Sequence, residues 1–381
     1  MEKRKSIAFI RPKPWPLANS VVQGVLKEQF PDRDVEIIDV AALIRKRPVL
    51  ILVNSIITTL LYGFEIVLLQ KKFRSAFWRT PYIFHQIRYL IRKRVNKEKH
   101  LFSFQMQSLF DGSTPGVPHF VYTDHTHLEN LNYFTNNSRT LYSQKWIKLE
   151  SEIYRNAALN FVRSSNVQRS IIKDYGCNVD RVRLVYAGSN ASVSNTKAEN
   201  ISYTDPHILF IGFDWERKGG PDLIRAFEIV LQKCPDTRLT IVGAKPNIQL
   251  SNCEIVGPIP PEKLNQYYQR ASIFCLPTYL EPFGIVLVEA MTARLPIVAT
   301  RVGAIPDFVE DGMNGWLVEP GDIQGIADAL IKLIENPDMS RRFGENGHKI
   351  AREMYSWQTV GRKFRANILN VLKEEQYINT C

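Results

Sequence analysis

The sequence predicts an α/β protein made of two doubly wound, Rossmann-like domains, and three observations predict it. The chain has 381 residues, more than one ordinary core absorbs and enough for two domains of similar size. Short apolar runs alternate with helical stretches, as expected of parallel strands joined by crossover helices. The alternation breaks once, over residues 188–205, where Gly, Ser, Asn and Thr replace large apolar residues and Asp205-Pro206 closes the stretch. This is the linker candidate, and it sets the boundary between a first domain over 1–195 and a second over 196–356.

Taken in order, residues 6–10 form an apolar run after a charged leader, 20–29 suit a helix, and 35–40 form a second run, giving strand, helix, strand. The pattern resumes with a strand at 119–122, a long helix over 143–158, and strands at 159–162 and 182–186. Past the linker come strands at 207–212, 238–242, 253–256, 273–276 and 297–299, with helices over 220–232, 261–270, 284–294 and 324–335. A last helix opens at Tyr355-Ser-Trp357 and runs to about residue 375. Open sheets of this kind bind ligands beyond the carboxyl ends of their strands, so two facing sheets would hold a ligand in the groove between them.

A composition of 45% hydrophobic and 23% charged residues is that of a folded chain, which excludes a wholly disordered protein. The net charge of +11 is carried by the first hundred residues, with 20 Lys or Arg against 8 Asp or Glu, while the remainder holds 29 against 30. A basic surface can meet anionic lipid, an anionic substrate or nucleic acid, and nucleic acid is the least expected of the three here. Cys177, Cys234, Cys253, Cys275 and Cys381 are odd in number and lack C-x-x-C spacing, so they read as reduced thiols of a reducing compartment. The charged start runs directly into a strand with no cleavage pattern, and the expected location is the cytoplasm.

One segment points to the membrane. Residues 48–64 carry no charge and lie between Arg45-Lys46-Arg47 and Lys71-Lys72-Phe73-Arg74. A spanning helix needs roughly 20 apolar residues, and Asn54, Ser55, Thr58 and Thr59 interrupt this run. Spanning therefore fits less well than a buried helix or one lying on lipid. Aromatic and basic residues interleaved over 73–94 favour an anionic membrane surface met through residues 43–99 at the inner face.

The strongest chemical signal is Pro277-Thr-Tyr-Leu-Glu281-Pro-Phe-Gly284-Ile-Val-Leu-Val-Glu289-Ala-Met291. Pro282 suits a first helical turn, which puts Glu281 at the helix entrance and Glu289 about two turns in. Eight helical residues rise about 12 Å, the scale of a sugar at one end and a ribose at the other. Between them the amides of Phe283, Gly284, Ile285 and Val286 would face an anion such as a diphosphate. Either glutamate alone could be a cap or a solvated acid, but Glu289 sits in an apolar run where an unpaired carboxylate is costly. The second signal is Phe210-Ile-Gly212-Phe-Asp-Trp-Glu-Arg217-Lys218-Gly-Gly220, a strand end leading through a polar loop into a helix. Arg217 and Lys218 there would stabilise the charge that grows on a departing nucleoside diphosphate.

The segment from Glu281 to Met291 resembles the E-x7-E signature of the family-four retaining glycosyltransferases, and Gly303-Ala-Ile-Pro-Asp307, Asp311-Gly312, Asn314-Gly315 and Glu319-Pro-Gly-Asp322 follow it as they do in that family. The resemblance covers roughly residues 120–365. It implies the GT-B fold, two doubly wound domains facing across a cleft with the terminal helix, 357–381, returning to the first. It further implies a metal-independent hexosyltransferase with no cofactor, a nucleoside-diphosphate sugar such as a UDP or GDP sugar as donor, and a hydroxyl of a glycan, lipid-linked or small-molecule acceptor. By the same resemblance Glu281 lies near the donor sugar, Glu289 binds the ribose, Arg217 and Lys218 hold the diphosphate, and the backbone from Gly257 to Ile259 meets the base. Two departures stand out: Phe213 replaces the arginine many relatives have after Gly212, and Arg11-Pro-Lys-Pro-Trp-Pro16 replaces a glycine pair after the first strand.

Val121-Tyr-Thr-Asp124-His125-Thr-His127 ends a first-domain strand. His125 resembles the family's histidine beside the donor sugar. His-x-His could also be a metal pair, a reading that ranks below sugar contact, and His127 could equally be a core histidine. Asp32-Arg-Asp34 reads as a solvated turn. Two other functions fit the same residues: a nucleotide-sugar epimerase or hydrolase, and a non-catalytic module binding sugar nucleotides or nucleic acid through the basic domain.

Overall fold

The computed structural model describes residues 4–14, 18–133, 141–189 and 202–378. Most of the linker candidate, Trp15-Pro16 and Cys381 lie outside the described residues. The chain divides into two compact units, one of Met1–Asn132, Asn136–Tyr186 and Val360–Cys381, the other of Tyr133–Thr135 and Ala187–Thr359.

In the first unit six strands, β1 (Ser6–Arg11), β2 (Val35–Asp39), β3 (His100–Met106), β4 (His119–Thr123), β5 (Leu159–Val162) and β6 (Val182–Leu184), form one sheet in the order β2-β1-β3-β4-β5-β6. Every pairing is parallel, so helices must cover both faces. Strand β3 has no counterpart in the sequence reading. Ser103 and Gln105 interrupt its apolar run, and partners outside the strand make them tolerable inside: Ser103 Oγ lies 2.8 Å from His119 Nδ1, and Gln105 Nε2 donates to the Phe110 carbonyl at 2.7 Å. On one face Phe104, Tyr122 and Phe161 enclose Phe364, with ring centroids 5.0–5.2 Å apart. Phe364 belongs to the terminal helix Trp357–Ile378, whose residues from Val360 onward are part of this unit.

The helix Pro48–Val67 is not a buried helix of this unit. Only Leu50, Asn54, Thr58 and Tyr62, spaced by four on one stripe, are buried. Helix Pro81–Arg92, absent from the sequence reading, opens on the side chain of Thr80 as cap and buries Ile83, Phe84, Ile87, Leu90 and Ile91, the i, i+4, i+7 pattern of an amphipathic helix.

The second unit repeats the plan. Strands β7 (His207–Gly212), β8 (Arg238–Gly243), β9 (Cys253–Gly257), β10 (Ile273–Leu276), β11 (Ile297–Thr300) and β12 (Gly315–Val318) form a sheet in the order β12-β11-β10-β7-β8-β9, again parallel throughout. The chain winds outward from β7 through β8 to β9, then returns and winds the other way from β10, so the strand order reverses between β7 and β10. Beyond the carboxyl ends of those two strands lies the crevice where such sheets take ligands. Three elements differ from the sequence expectation. The helix expected over 261–270 is a 3-10 turn, Pro261–Lys263, followed by Asn265–Arg270. Strand β12 and helix Pro337–Met354 are additional. That helix contains Gly344 and Gly347, poor helix formers, yet a Cβ on Gly344 would fall 2.0 Å from the Arg294 carbonyl oxygen. Close packing there outweighs propensity.

Candidate donor site and a first-unit histidine cavity

The loop after β7 and the loop after β10 are laced together at the crevice. The Tyr279 amide donates to the Arg217 carbonyl at 2.9 Å, and Thr278 Oγ1 donates to the same oxygen at 3.1 Å. Gly219 has φ +72, and a Cβ on it would strike the Pro277 carbonyl oxygen at 1.8 Å. The glycine after Arg217-Lys218 is thus what lets the two backbones touch.

This contact delivers the charged side chains. Lys218 Nζ forms an ion pair with Glu281 Oε2, and the two residues are 9% and 7% exposed. Burial makes such a pair costly unless its remaining groups are also satisfied. Arg217 donates from Nη1 to the Leu280 carbonyl and from Nε to Asp214 Oδ2 at 3.2 Å. Gly212 lies directly behind: a Cβ there would meet Lys218 Cγ at 3.0 Å. Glu281, Arg217, Lys218 and Gly212 therefore form one cluster at the end of β7 and β10.

Glu281 is not at a helix entrance. Residues 281–284 make a bend, Gly284 adopts φ +88, and the helix runs from Ile285 to Thr292. A proline-led first turn cannot form because the left-handed Gly284 intervenes. The Leu287 and Val288 amides both reach back to the Gly284 carbonyl; those of Ile285 and Val286, at the first two helical positions, have no intrahelical acceptor. Phe283 and Gly284 lie just before them. Phe283 is buried against Phe308 and Tyr355, and a Cβ on Gly303 would fall 1.9 Å from the Glu281 carbonyl oxygen. These contacts fix the bend.

Glu289 lies one turn from the start of this helix, not two, on the face shared with Ile285. It is 6% exposed, and its Oε2 accepts the Tyr268 hydroxyl at 2.9 Å. Burial and the adjacent carboxylate push the Tyr268 phenol well above its ordinary range, so it stays a donor. The sequence reading missed Tyr268. Gly257, at φ +74, ends β9, and half-buried Ile259 follows. They lie two strands from β7, on the side away from β10, roughly 10 Å along the sheet edge.

In the first unit His125 follows β4 and lines a cavity of about 180 Å³ with Arg79, Ser108, Asp124, His127 and Glu150. Burial lowers the His125 pKa and Asp124 opposes the shift. Asp124 is itself held by Arg163 Nη1 at 3.2 Å. His127 is a core histidine: its Nε2 accepts the Tyr142 amide at 2.8 Å, and burial, with Arg79, His125 and Lys71 nearby, lowers its pKa to about 3. The other ring nitrogen of His127, Nδ1, faces Asn130 Nδ2 at 3.4 Å, and no group of three or more His, Cys, Asp or Glu with metal-binding geometry occurs among the described residues. Asn19, at the start of helix Ala18–Gln29, donates to the Lys13 carbonyl at 2.8 Å.

Glu150 is a further residue the sequence reading missed. It is buried, and accepts from the His127 amide at 3.1 Å, Tyr154 at 3.1 Å, Ser108 at 3.4 Å and Tyr175. Burial raises its pKa to about 7 against those bonds. The sequence does carry a signal: Trp146, Leu149, Glu150, Ile153 and Tyr154 form the buried stripe of helix Gln144–Asn156, so an acid stands where an apolar residue is expected.

Two six-stranded parallel sheets of this order define the GT-B class of folds. Residues 194–350 match the family described as Glycosyl transferases group 1. Sucrose-phosphate synthase from Thermosynechococcus elongatus shares the fold with a TM-score of 0.68 at 17% identity, over 97% of this chain and 100% of that one. HepE of Anabaena, solved in complex with UDP and glucose, gives 0.62 at 16% identity over 96% and 99%. D-inositol 3-phosphate glycosyltransferase of Corynebacterium jeikeium (strain K411) is 31% identical over 254 residues, 59% of each chain. The chain spans about three fifths of the length of the curated relatives it matches.

Proposed function

We propose that this protein is a retaining, metal-independent glycosyltransferase that moves a hexosyl group from a nucleoside-diphosphate sugar to a hydroxyl of a glycan, lipid-linked or small-molecule acceptor. The observation that carries the reading is the buried Lys218–Glu281 pair beside the open amides of Ile285 and Val286, at the strand-order reversal of the second sheet. Two cations and two amides suit a diphosphate. Glu289, oriented by Tyr268, suits paired ribose hydroxyls, and the Gly257–Ile259 backbone suits the base. Glu281 holds Lys218 and offers its other oxygen to the sugar.

In the reaction the glycosidic C–O bond breaks and its electron pair goes to the diphosphate, whose growing charge Arg217 and Lys218 stabilise. The acceptor oxygen attacks the same face and its proton passes to the departing phosphate oxygen, so configuration is kept. No cofactor is required. The site of action proposed is the cytoplasmic side of a membrane.

A thermal-shift panel of nucleoside diphosphates and their sugars, read with and without Lys218→Ala, tests the donor site. A ligand at a hundred times its dissociation constant adds about 2.7 kcal/mol, and Lys218→Ala should remove most of that. If no nucleoside diphosphate stabilises the protein, the reading fails.

A further inference from the structure

Helix Pro48–Val67 is amphipathic in the wrong sense for a soluble domain. Its polar residues face the protein. Asn54 Nδ2 donates to the Phe77 carbonyl at 2.8 Å and its Oδ1 accepts Thr80 Oγ1; the Tyr62 hydroxyl lies 3.0 Å from the Arg79 carbonyl and 3.2 Å from Ser143 Oγ. The apolar residues face outward: Leu60 is 80% exposed, Phe64 77%, Val67 79%, with Val49, Leu52 and Ile56 on the same outer side. Directly after the helix Leu69 is 92% exposed and held at φ +56, a conformation that branched residues avoid. A contiguous apolar surface of this length marks an interaction site.

Charge selects the occupant. Residues 43–99 contain 13 Lys or Arg against Glu65 and Glu98 alone, and Arg45, Lys46, Lys72 and Arg74, next to the two ends of the helix, are exposed. A second copy of this face would bring like charge against like charge, whereas an anionic bilayer offers both hydrocarbon and opposite charge. The helix is long and apolar enough to cross a membrane by length and composition. Spanning would, however, tear Asn54 and Tyr62 from the 77–80 segment and leave them unpaired in hydrocarbon. We infer that helix Pro48–Val67 lies in the plane of an anionic lipid surface, with Leu60, Phe64, Val67 and Leu69 entering the acyl boundary and the flanking cations on the headgroups. Arg79, whose carbonyl meets Tyr62, also lines the His125 cavity, so the docked face backs directly onto that cavity.

This inference does not rest on the proposed transfer reaction, and its test uses no enzyme activity. The full chain is sedimented with vesicles of phosphatidylcholine alone and of phosphatidylcholine mixed with phosphatidylglycerol. It is expected to bind the anionic vesicles, weaken with salt, and leave them in alkaline carbonate. The exposed pair Leu60→Glu/Phe64→Glu should lower partitioning more than about tenfold, and Lys46→Glu/Lys72→Glu/Arg74→Glu should do the same and flatten the salt dependence. Both variants should keep the wild-type melting temperature, which separates lost docking from lost folding. Absence of binding to anionic vesicles, unchanged binding by Leu60→Glu/Phe64→Glu, or resistance to carbonate would overturn the inference. So would a dimer in light scattering that the same pair abolishes.

Discussion

Glu150 gives the protein a distinctive pH dependence of stability. Its side chain is surrounded by Ser108, Tyr154, Tyr175 and the His127 amide, with Arg79, His125 and His127 the nearby cationic or titratable groups. Its pKa rises from 4.5 unfolded to about 7 folded, so between those values the folded state binds more protons than the unfolded one. Stability from this group is full below about pH 4.5 and is lost as pH rises through about 7, an effect of roughly 3 kcal/mol. His119 and His127 act in the opposite sense: their folded pKa values fall to about 4 and about 3, so stability from them is present above pH ~6.5 and lost on acidification. The wild-type curve is the sum, and the isolating perturbation is Glu150→Gln. Urea unfolding of both proteins at a series of pH values yields the difference between them. That difference should fall toward the Gln variant's favour by a few kcal/mol as pH rises from about 4.5 to about 7. A difference that is flat across this range, or that grows in the wild type's favour, refutes the reasoning.

If the proposed transfer holds, Lys218→Ala should lower kcat by about 100-fold or more in a sugar-transfer assay, since it would remove a preorganised charge from the departing diphosphate, and calorimetry should show weakened nucleoside-diphosphate binding. Tyr268→Phe takes the hydroxyl from buried Glu289; it should cost about 1–3 kcal/mol in urea unfolding and weaken nucleoside-diphosphate binding while leaving that of pyrophosphate unchanged, as isothermal titration can read. Gly219→Ala forces a Cβ into the Pro277 carbonyl and strains a left-handed backbone, so it should destabilise by at least about 1–3 kcal/mol and impair nucleotide binding, measured by melting with and without ligand.

Much of the fold is legible locally. Strands such as β7 and β10 are buried along their whole length, so each is a bare apolar run between loop residues, and no distant partner is needed to recognise it. Strand β3 shows the opposite case: Ser103 and Gln105 are inside only because His119 and the 107–112 turn meet them. The Pro337–Met354 helix escaped for the same reason, its Gly344 being explained by the Arg294 carbonyl, far away in sequence. At the candidate site Glu281, Glu289, Arg217 and Lys218 stand out by type and spacing, whereas Tyr268 and Glu150 carry no motif of their own. Burial without charge compensation in sequence is the one clue to Glu150.

The sequence by itself determined the α/β class, the excess of positive charge in the first hundred residues, and the acidic and basic residues gathered around the loops after β7 and β10. Those properties follow from composition and near-neighbour periodicity. Tertiary structure decided that Lys218 pairs with Glu281 across 63 positions, that the Gly284 turn delays the helix to Ile285, and that the uncharged helix turns its polar stripe inward. Each of these depends on where a backbone carbonyl or hydroxyl from another part of the chain arrives, and a hydrogen bond has a direction and a reach that local patterning does not encode.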